Sequence, residues 1–275
     1  EQNQLAKNMR YLSNTIKYSI QSNCPDYKKE AVITSLNNIA KNTILKFVNV
    51  NDNSANLKIS CQDQIEKDTD GTTILGMGKA GEYYTFDDFS VIMTPGTLII
   101  YNVPSDTSGQ PVCVLSNTVV HEILHTLGFG HNSDPNSIMY FAASKNSDFC
   151  RSGNIDQYII DILNTAYSIP SLPDIVISQP TITKSDNNLY VGFVLYNNGL
   201  VDFNGDIKVM VSIGSKTIET FDLGSRTDFK VGHGFKQGSY VASSKIPSGS
   251  EVKLSVITSV KEISLNNNQV SINFN

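Results

Sequence analysis

The stretch HEILHTLGFGH, residues 121–131, constrains this chain more than any other part of its sequence. His121 and His125 stand four residues apart, so on a helix they project from one face, one turn apart. Gly128 can adopt a positive φ that a Cβ disfavours, which allows the helix to end and the chain to turn back toward His131. Three of the four histidines in the chain can therefore reach one point.

Three neutral imidazoles are a ligand set for zinc. They bind at about 2.0–2.1 Å and leave a fourth tetrahedral position for water. Glu122 follows the first histidine and is placed beside the metal, where its carboxylate can accept a proton from that water. A bare HExxH also arises by chance, and paired histidines on a buried helix are often packing residues. The added glycine and third histidine favour a catalytic zinc site with ligands His121, His125 and His131.

The pattern continues downstream, where residues 137–140 read SIMY. The extended histidine motif followed by such a methionine turn is the signature of metzincin metalloproteases. The short gap between His131 and Met139, and the pair Met139-Tyr140, resemble the matrixins. This resemblance implies a zinc-dependent endopeptidase that acts on protein or peptide substrates, with Met139 forming a hydrophobic floor under the metal. Relatives with a tyrosine ligand carry it two residues after the methionine, where this chain has Phe141.

A weaker resemblance, in the order of elements, covers residues 1–168 and implies a metzincin (zincin-like) α+β domain. Such a domain has a mixed twisted sheet and three helices. Hydrophobic periodicity predicts, in order, a strand at 15–21, a helix at 27–42 capped by Asp26, strands at 45–50, 57–61, 81–86 and 96–101, the metal-site helix at 114–128, and a helix at 155–167 with a capping box of Asn154 and Gln157. Residues 62–80 are polar and glycine-rich, and are predicted to form a surface loop.

The resemblance also implies how a substrate binds. An extended peptide is expected to pair with the edge strand beside the cleft, near residues 81–86, by strand addition. The wall of the main specificity pocket is expected to come from residues 140–144.

The four cysteines, Cys24, Cys61, Cys113 and Cys150, form no CxxC motif and allow three pairings. In the matrixin fold the first and third strands lie side by side, so the resemblance implies a Cys24–Cys61 disulfide, with Cys113–Cys150 as the second pair. Disulfides fit a secreted or cell-surface protease better than a cytosolic protein with inert thiols. Because the chain opens with Glu1 rather than Met, we expect that an upstream segment is removed.

A boundary is predicted where Pro170 and Pro173 follow the last helix, giving a catalytic domain at 1–170 and a second domain at 171–275. The second domain shows about seven short strand-like runs separated by turns, which favours an immunoglobulin-like β-sandwich. Residues 194–199 and 265–270 resemble adhesion-related sandwich modules of prokaryotic surface proteins. That resemblance implies docking to a surface or a substrate. His233 is expected to be a loop residue without a metal.

The composition of the chain limits the classes of partner that it is expected to bind. The net charge is −5 and no basic patch stands out, which argues against nucleic acid. No apolar run approaches the ~20 residues needed to span a bilayer. Asp68, Asp70 and Gly71 suggest a Ca²⁺ loop, although a solvated acidic turn is the favoured reading.

Two alternatives to a general endopeptidase stay open. The chain could be a surface-binding or structural protein whose zinc domain is vestigial, although the intact Glu122 argues against this. It could also be a zinc amidase or peptidase of narrow specificity.

Overall fold

The computed structural model describes residues 4–71, 73–102, 111–141 and 154–275, with the backbone alone at 111–114. Contacts divide the chain into two compact units, Glu1–Ile169 and Pro170–Asn275.

The first unit is built from ten described strands and three described helices. In chain order they are β1 (Met9–Tyr11), β2 (Thr15–Ile20), α1 (Asp26–Asn42), β3 (Lys46–Asn49), β4 (Leu57–Cys61), β5 (Glu66–Lys67), β6 (Thr73–Ile74), β7 (Gly76–Lys79), β8 (Tyr83–Thr85), β9 (Ser90–Ile92), β10 (Gly96–Ile100), α2 (Pro111–Thr126) and α3 (Gln157–Ser168). In the ranges that the structure describes, no helix has both the length and the apolar character needed to cross a bilayer.

The central sheet has the order β3-β2-β4-β10-β7. Its first four strands run parallel, and β7 is antiparallel to β10, so the sheet is mixed as expected. The inner strands carry buried apolar residues such as Leu57, Ile59 and Leu98, in keeping with a largely parallel sheet. Helix α2 packs against α1, β7 and β10. The helix with the histidine motif therefore lies directly on the sheet.

The edge of this sheet is not where the sequence places it. A strand is present near residues 81–86, as β8, but it pairs with β9 in a separate sheet of order β1-β9-β8. The edge strands of the central sheet are β3 and β7, and β7 lies inside the segment predicted to be a loop. Glycine disfavours strands and reads as loop, and Gly76 and Gly78 occupy alternate positions of β7.

The periodicity of apolar residues predicted the positions of the helices, but the predicted capping residues do not occupy the cap positions. Helix α1 buries Val32, Leu36 and Ile39, but Pro25 is its cap residue and Asp26 lies in its first turn. The predicted metal-site helix at 114–128 spans Pro111–Thr126.

The predicted capping box at the start of α3 is wrong. Asp156 occupies the cap position and makes no side-chain capping bond, while Gln157 Nε2 donates to Asp161 Oδ1 at 2.9 Å. The carboxylate of Asp156 instead binds outside its own helix, as described below.

A disulfide joins Cys24, just before α1, to Cys61 at the end of β4. This is the pair that the family resemblance implies. Both residues are buried, and closing a 37-residue separation contributes about 3–4 kcal/mol to stability in the chain-entropy picture. The predicted Cys113–Cys150 pair lies outside the described residues, since Cys150 and the side chain of Cys113 are not described.

The second unit is all-β and contains seven described strands. They are β11 (Ile175–Ser185), β12 (Asn188–Asn197), β13 (Phe203–Ile213), β14 (Lys216–Phe229), β15 (Gly234–Ala242), β16 (Ser250–Thr258) and β17 (Gln269–Phe274). They form two antiparallel sheets, of order β11-β12-β15 and β14-β13-β16-β17. Alternate residues of both sheets, such as Leu195 and Val209, are fully buried in one common core.

Candidate metal centre

The three motif histidines meet at one point. His121 and His125 project from α2, and His131 comes from the segment that follows the helix. The Nε2 atoms lie 3.0 Å apart for His121 and His125, 3.1 Å for His125 and His131, and 3.2 Å for His121 and His131. The spacing read from the sequence thus brings these rings together in the structure.

Backbone carbonyls fix the tautomers of the two helical histidines. His121 Nδ1 lies 2.6 Å from the carbonyl oxygen of Ile138, and His125 Nδ1 lies 2.7 Å from that of Phe129. Because a carbonyl oxygen only accepts hydrogen bonds, each Nδ1 carries the hydrogen and each Nε2 presents a lone pair when the ring is neutral. Burial lowers the pKa of His121 to about 4 and also lowers that of His125. Neutral rings with converging lone pairs therefore dominate at pH 7.

This ring of nitrogens fits zinc. Tetrahedral ligands at about 2.0–2.1 Å from zinc are separated by roughly 3.3–3.4 Å, close to the Nε2 separations given above. In the part of the chain that the structure describes, His121, His125 and His131 are the one group of three ligand-type side chains close enough to share a metal. Burial lowers the pKa of His131 as well, which favours the neutral form that metal binding requires.

The turn after α2 depends on a glycine. Gly128 has φ +91°, a left-handed conformation, and a Cβ at this position would collide with Sδ of the buried Met9. Its amide donates to the carbonyl of His125 at 3.0 Å, and the next amide, of Phe129, donates to Leu124 at 3.1 Å. The turn thereby places the Phe129 carbonyl within hydrogen-bond distance of His125 Nδ1. It also reverses the direction of the chain, which brings His131 back toward the helix.

Glu122 is buried against the edge strand. It is 8% exposed, and its Oε2 accepts a hydrogen bond from the Gly78 amide at 2.6 Å. Burial raises the pKa of Glu122 to about 7, while the Gly78 amide acts in the opposite direction. The carboxylate is not part of the three-histidine group, in line with a position beside the metal rather than on it.

Gly76 and Gly78 make this contact between strand and helix feasible, and sequence reasoning missed both. A Cβ on Gly76 would lie 2.6 Å from Cγ of Glu122, and one on Gly78 would collide with the Glu122 backbone carbonyl. The usable signal was the glycine at every second position, since residues i and i+2 share one face of a strand.

Met139 lies in a turn that hydrogen bonds hold on both sides. Its side chain is fully buried, and its amide donates to Ser137 Oγ at 3.0 Å. Ser137 Oγ donates to Asp156 Oδ2 at 2.7 Å, and the same carboxylate oxygen accepts the Ile138 amide at 3.1 Å. Asp156 therefore fixes the peptide segment whose next carbonyl, that of Ile138, holds His121.

The segment after His131 is tied to the same turn. The Asn132 amide donates to the Met139 carbonyl at 3.0 Å, and Asn132 Nδ2 donates to the Tyr158 hydroxyl at 2.8 Å. Asn132, Asp156 and Tyr158 are site-supporting residues that the sequence did not reveal, because their partners lie far along the chain.

A cavity of about 600 Å³ opens beside two of the histidines. The residues that line it are Leu5, Gly78, Lys79, Ala80, Gly81, Glu82, Tyr83, His125, Phe129, Gly130 and His131. Of the expected pocket wall at 140–144, the structure describes Tyr140 and Phe141, whose ring centroids are 4.6 Å apart. The other three residues lie outside the described ranges. Phe141 is 66% exposed.

Other sequence-based site predictions do not join this centre. Asp68, Asp70 and Gly71 form an exposed turn in which the Asp70 amide donates to Asp68 Oδ1 at 3.0 Å and Gly71 has φ +78°. Nothing in this turn supports a calcium site. His233 is exposed in the second unit.

The geometry described above agrees with a comparison with known families. The matrixin family model matches residues 10–161, more than half of the chain and the whole of the histidine and methionine motifs. No curated protein sequence matches this chain. The chain belongs to the matrixin family.

Proposed function

We propose that this protein is a secreted zinc-dependent endopeptidase. The observation that carries the proposal is the convergence of three neutral imidazoles, with a buried carboxylate of raised pKa on the residue after the first of them. Membership of the matrixin family supports a metalloprotease.

In this proposal His121, His125 and His131 hold the ion. Bound zinc supplies a Lewis-acid charge that polarises a peptide carbonyl and lowers the pKa of water toward 7. The Glu122 carboxylate accepts the proton of the attacking water and donates it to the leaving nitrogen. Burial favours the protonated form of Glu122, and a carboxyl group that holds a proton more readily than an exposed one suits a residue that must both accept and release a proton.

The Gly78 amide positions the base. It donates to one oxygen of the Glu122 carboxylate, which leaves the second oxygen for the water and restricts the side-chain rotamer. Met139, buried in the turn that holds His121, is proposed as the hydrophobic floor of the metal site.

The substrate is proposed to bind in extended form along β7. This strand is one edge of the central sheet and pairs with β10 on its inner side, and an edge strand can bind a peptide through its free amide and carbonyl groups. Tyr140 and Phe141 are proposed to form part of the wall of the main specificity pocket.

The second unit is proposed to be an immunoglobulin-like sandwich that docks the enzyme to a surface or a substrate. Its sheets have the strand order 1-2-5 and 4-3-6-7 when its strands are numbered from β11. This differs from the constant-type immunoglobulin arrangement in that strand 4 pairs with strand 3. The location outside the cell is supported by the buried Cys24–Cys61 disulfide, since structural disulfides persist in oxidising compartments.

A mixed peptide library incubated with the zinc-loaded protein, with and without a chelator, tests the activity. Chelator-sensitive cleavage of many sequences supports a general endopeptidase. Cleavage of one or a few sequences favours a narrow peptidase or amidase. The absence of any cleavage by a protein with one bound zinc favours a vestigial metal domain and contradicts the proposal.

A further inference from the structure

Building on the proposed docking role of the second unit, we infer that one face of its three-stranded sheet binds an acidic polysaccharide. This face, the tyrosine face, consists of the residues of β11, β12 and β15 that point away from the core of the unit. Sugar rings pack on Tyr190, Tyr196 and Tyr240, and a carboxylate of the polymer pairs with Lys236.

Tyr190 and Tyr240 form an aromatic corner on the tyrosine face. They are paired directly opposite each other on β12 and β15, and they alternate with core residues such as Val191 and Val241. Their ring centroids lie 5.4 Å apart, with an angle of 64° between the ring planes. Tyr190 is 36% exposed and Tyr240 is 61% exposed. Two ring surfaces that meet at an angle are therefore open to solvent.

Glycines allow two of the rings to lie low on the sheet. A Cβ on Gly238 would come within 2.6 Å of Cζ of Tyr190, and a Cβ on Gly234 would collide with the ring of Tyr196. The two glycines are four residues apart on β15, so these two ring contacts are about 13 Å apart along the strand. Rings that are held against the backbone before a ligand binds lower the entropy cost of binding.

Packing within the sheet explains only part of this arrangement. An aromatic ring that covers a glycine of a neighbouring strand stabilises a sheet, which accounts for Tyr190 and Tyr196. Tyr240 is different, because it is more exposed than Tyr190 and none of the atoms nearest to the glycine Cβ positions of this sheet belongs to it. It is also absent from the core of its unit. Contact with a ligand gives this exposed ring a role that packing does not.

The side chains next to the rings favour a sugar over a protein partner. Thr183 is paired directly opposite Tyr190, and Thr181 and Ser185 lie two residues to either side of it, so all three share the tyrosine face. A sugar presents C–H groups that pack on the negative face of an aromatic ring, and its hydroxyl groups can pair with hydroxyl side chains. The core of a protein interface is enriched in Met and Arg as well as aromatic residues, whereas β11, β12 and β15 contain neither Met nor Arg.

The charge on the tyrosine face selects an acidic polymer. Among the outward positions of β11, β12 and β15, all of which the structure describes, Lys236 is the only charged residue. It lies midway between Gly234 and Gly238, and it takes part in none of the ion pairs found among the described residues. A polymer that crosses both low rings can therefore place a carboxylate at its ammonium group. Because the net charge of the chain is −5, nonspecific attraction to a polyanion is not expected.

Affinity electrophoresis tests the inference. The zinc-loaded protein is run in native gels that contain alginate or polygalacturonate, which are polymers of uronic acids, or the neutral polymer dextran. Each mobility is divided by the mobility in a gel without polymer. We expect at least one polyuronate, and not dextran, to retard the wild type.

Three variants and a matched control identify the residues responsible. Tyr240→Ala should raise the Kd for the polyuronate roughly two- to tenfold, whereas Tyr240→Phe keeps the ring and should bind like the wild type. Lys236→Gln should weaken binding and reduce its dependence on salt concentration. Tyr27→Ala is the control, because Tyr27 is a tyrosine of similar exposure, 57%, in the first unit.

Several results would overturn the inference. One is a wild type that neither polyuronate retards, and another is binding that Tyr240→Ala and Lys236→Gln leave unchanged. Equal retardation by dextran would show that charge does not select the ligand. A wild-type dimer that Tyr240→Ala converts to a monomer would assign the tyrosine face to a second copy of the chain. Slower cleavage of proteins, but not of short peptides, by an unretarded Tyr240→Ala variant would assign the face to the protein substrate.

The electrophoresis does not depend on peptide cleavage. A wild type that is retarded by a polyuronate but cleaves no peptide would contradict the proposed peptidase function and support the tyrosine face. A wild type that cleaves peptides but is not retarded would do the reverse.

Discussion

At the scale of single residues, burial biases the metal centre toward uncharged groups. It lowers the pKa of His121 to about 4 and raises that of Glu122 to about 7. Neutral imidazoles are the form that binds a metal. The Glu122 carboxylate depends on the Gly78 amide, because a hydrogen bond to the charged form favours ionisation.

Replacing this carboxylate tests its role directly. Glu122→Gln keeps the size of the side chain and removes the proton acceptor, so we expect zinc content and folding to be unchanged. We expect kcat to fall by about 10²–10⁴-fold, the usual contribution of a general base. Zinc per chain and peptide cleavage are measured on the same sample. Near-normal turnover would remove Glu122 from the catalytic role.

The histidine pKa values predict a sign for the effect of acid. Protons compete with zinc only as the pH falls below 6.5 toward the lowered pKa values of the three histidines, so zinc should be retained at neutral pH and lost progressively as the pH approaches about 4. In the metal-free protein, His121 stays neutral when folded but gains a proton when unfolded, so the free energy of unfolding should decrease as the pH falls from about 6.5 to about 4.

Metal content after dialysis at a series of pH values, and urea unfolding of the chelator-treated protein, measure the two effects. Zinc content that stays constant well below pH 4 would argue against ligation by three imidazoles.

At the scale of secondary structure elements, the site depends on two close contacts at glycines. Gly128 ends the metal-site helix over Met9, and Gly78 lets β7 approach the backbone of α2. Neither glycine carries a functional group, yet each contact determines the position of a neighbouring functional side chain.

Gly128→Ala should therefore be strongly destabilising. The new Cβ must displace the Met9 side chain, and the alanine must adopt a positive φ. We expect the free energy of unfolding to fall by about 2–5 kcal/mol from overpacking and backbone strain together. Gly71→Ala is the matched control, because Gly71 also has a positive φ but a Cβ there meets nothing within 4 Å. Chemical denaturation measures both variants. An equal loss in the two would show that the contact with Met9 is unimportant.

The sequence was informative about elements where a pattern is local. The spacing of His121, His125 and His131 sufficed to bring the three rings together, and helical periodicity located α1. The edge strand was missed because Gly76 and Gly78 read as loop, and the reason for those glycines is the contact with Glu122, which lies more than 40 residues further along the chain. Asp156 was missed for a similar reason, since its partners Ser137 and Ile138 precede it by 18 or 19 residues.

At the scale of the whole molecule, the cysteines and the candidate metal ligands are confined to one unit. All four cysteines and the three histidines of the metal centre lie in residues 1–169, whereas the second unit contains no cysteine. The second unit owes its stability to one apolar core between two antiparallel sheets.

Scanning calorimetry should therefore resolve two unfolding transitions that differ in their sensitivity to a chelator and to a reductant. A chelator removes metal from the first unit, and a reductant that opens the Cys24–Cys61 bridge should destabilise that unit by about 2–5 kcal/mol. The transition of the second unit should stay at the same temperature in both cases. A single transition that shifts as a whole would show that the two units unfold together.

The contact of β7 with Glu122 has a consequence for inhibition. The strand that is proposed to bind the substrate also carries the amide that restrains the proposed proton acceptor, so substrate binding and catalysis would depend on the same strand. A molecule that binds this strand and shifts its backbone would displace the Glu122 carboxylate. Such a molecule would inhibit the proposed activity without contacting the metal.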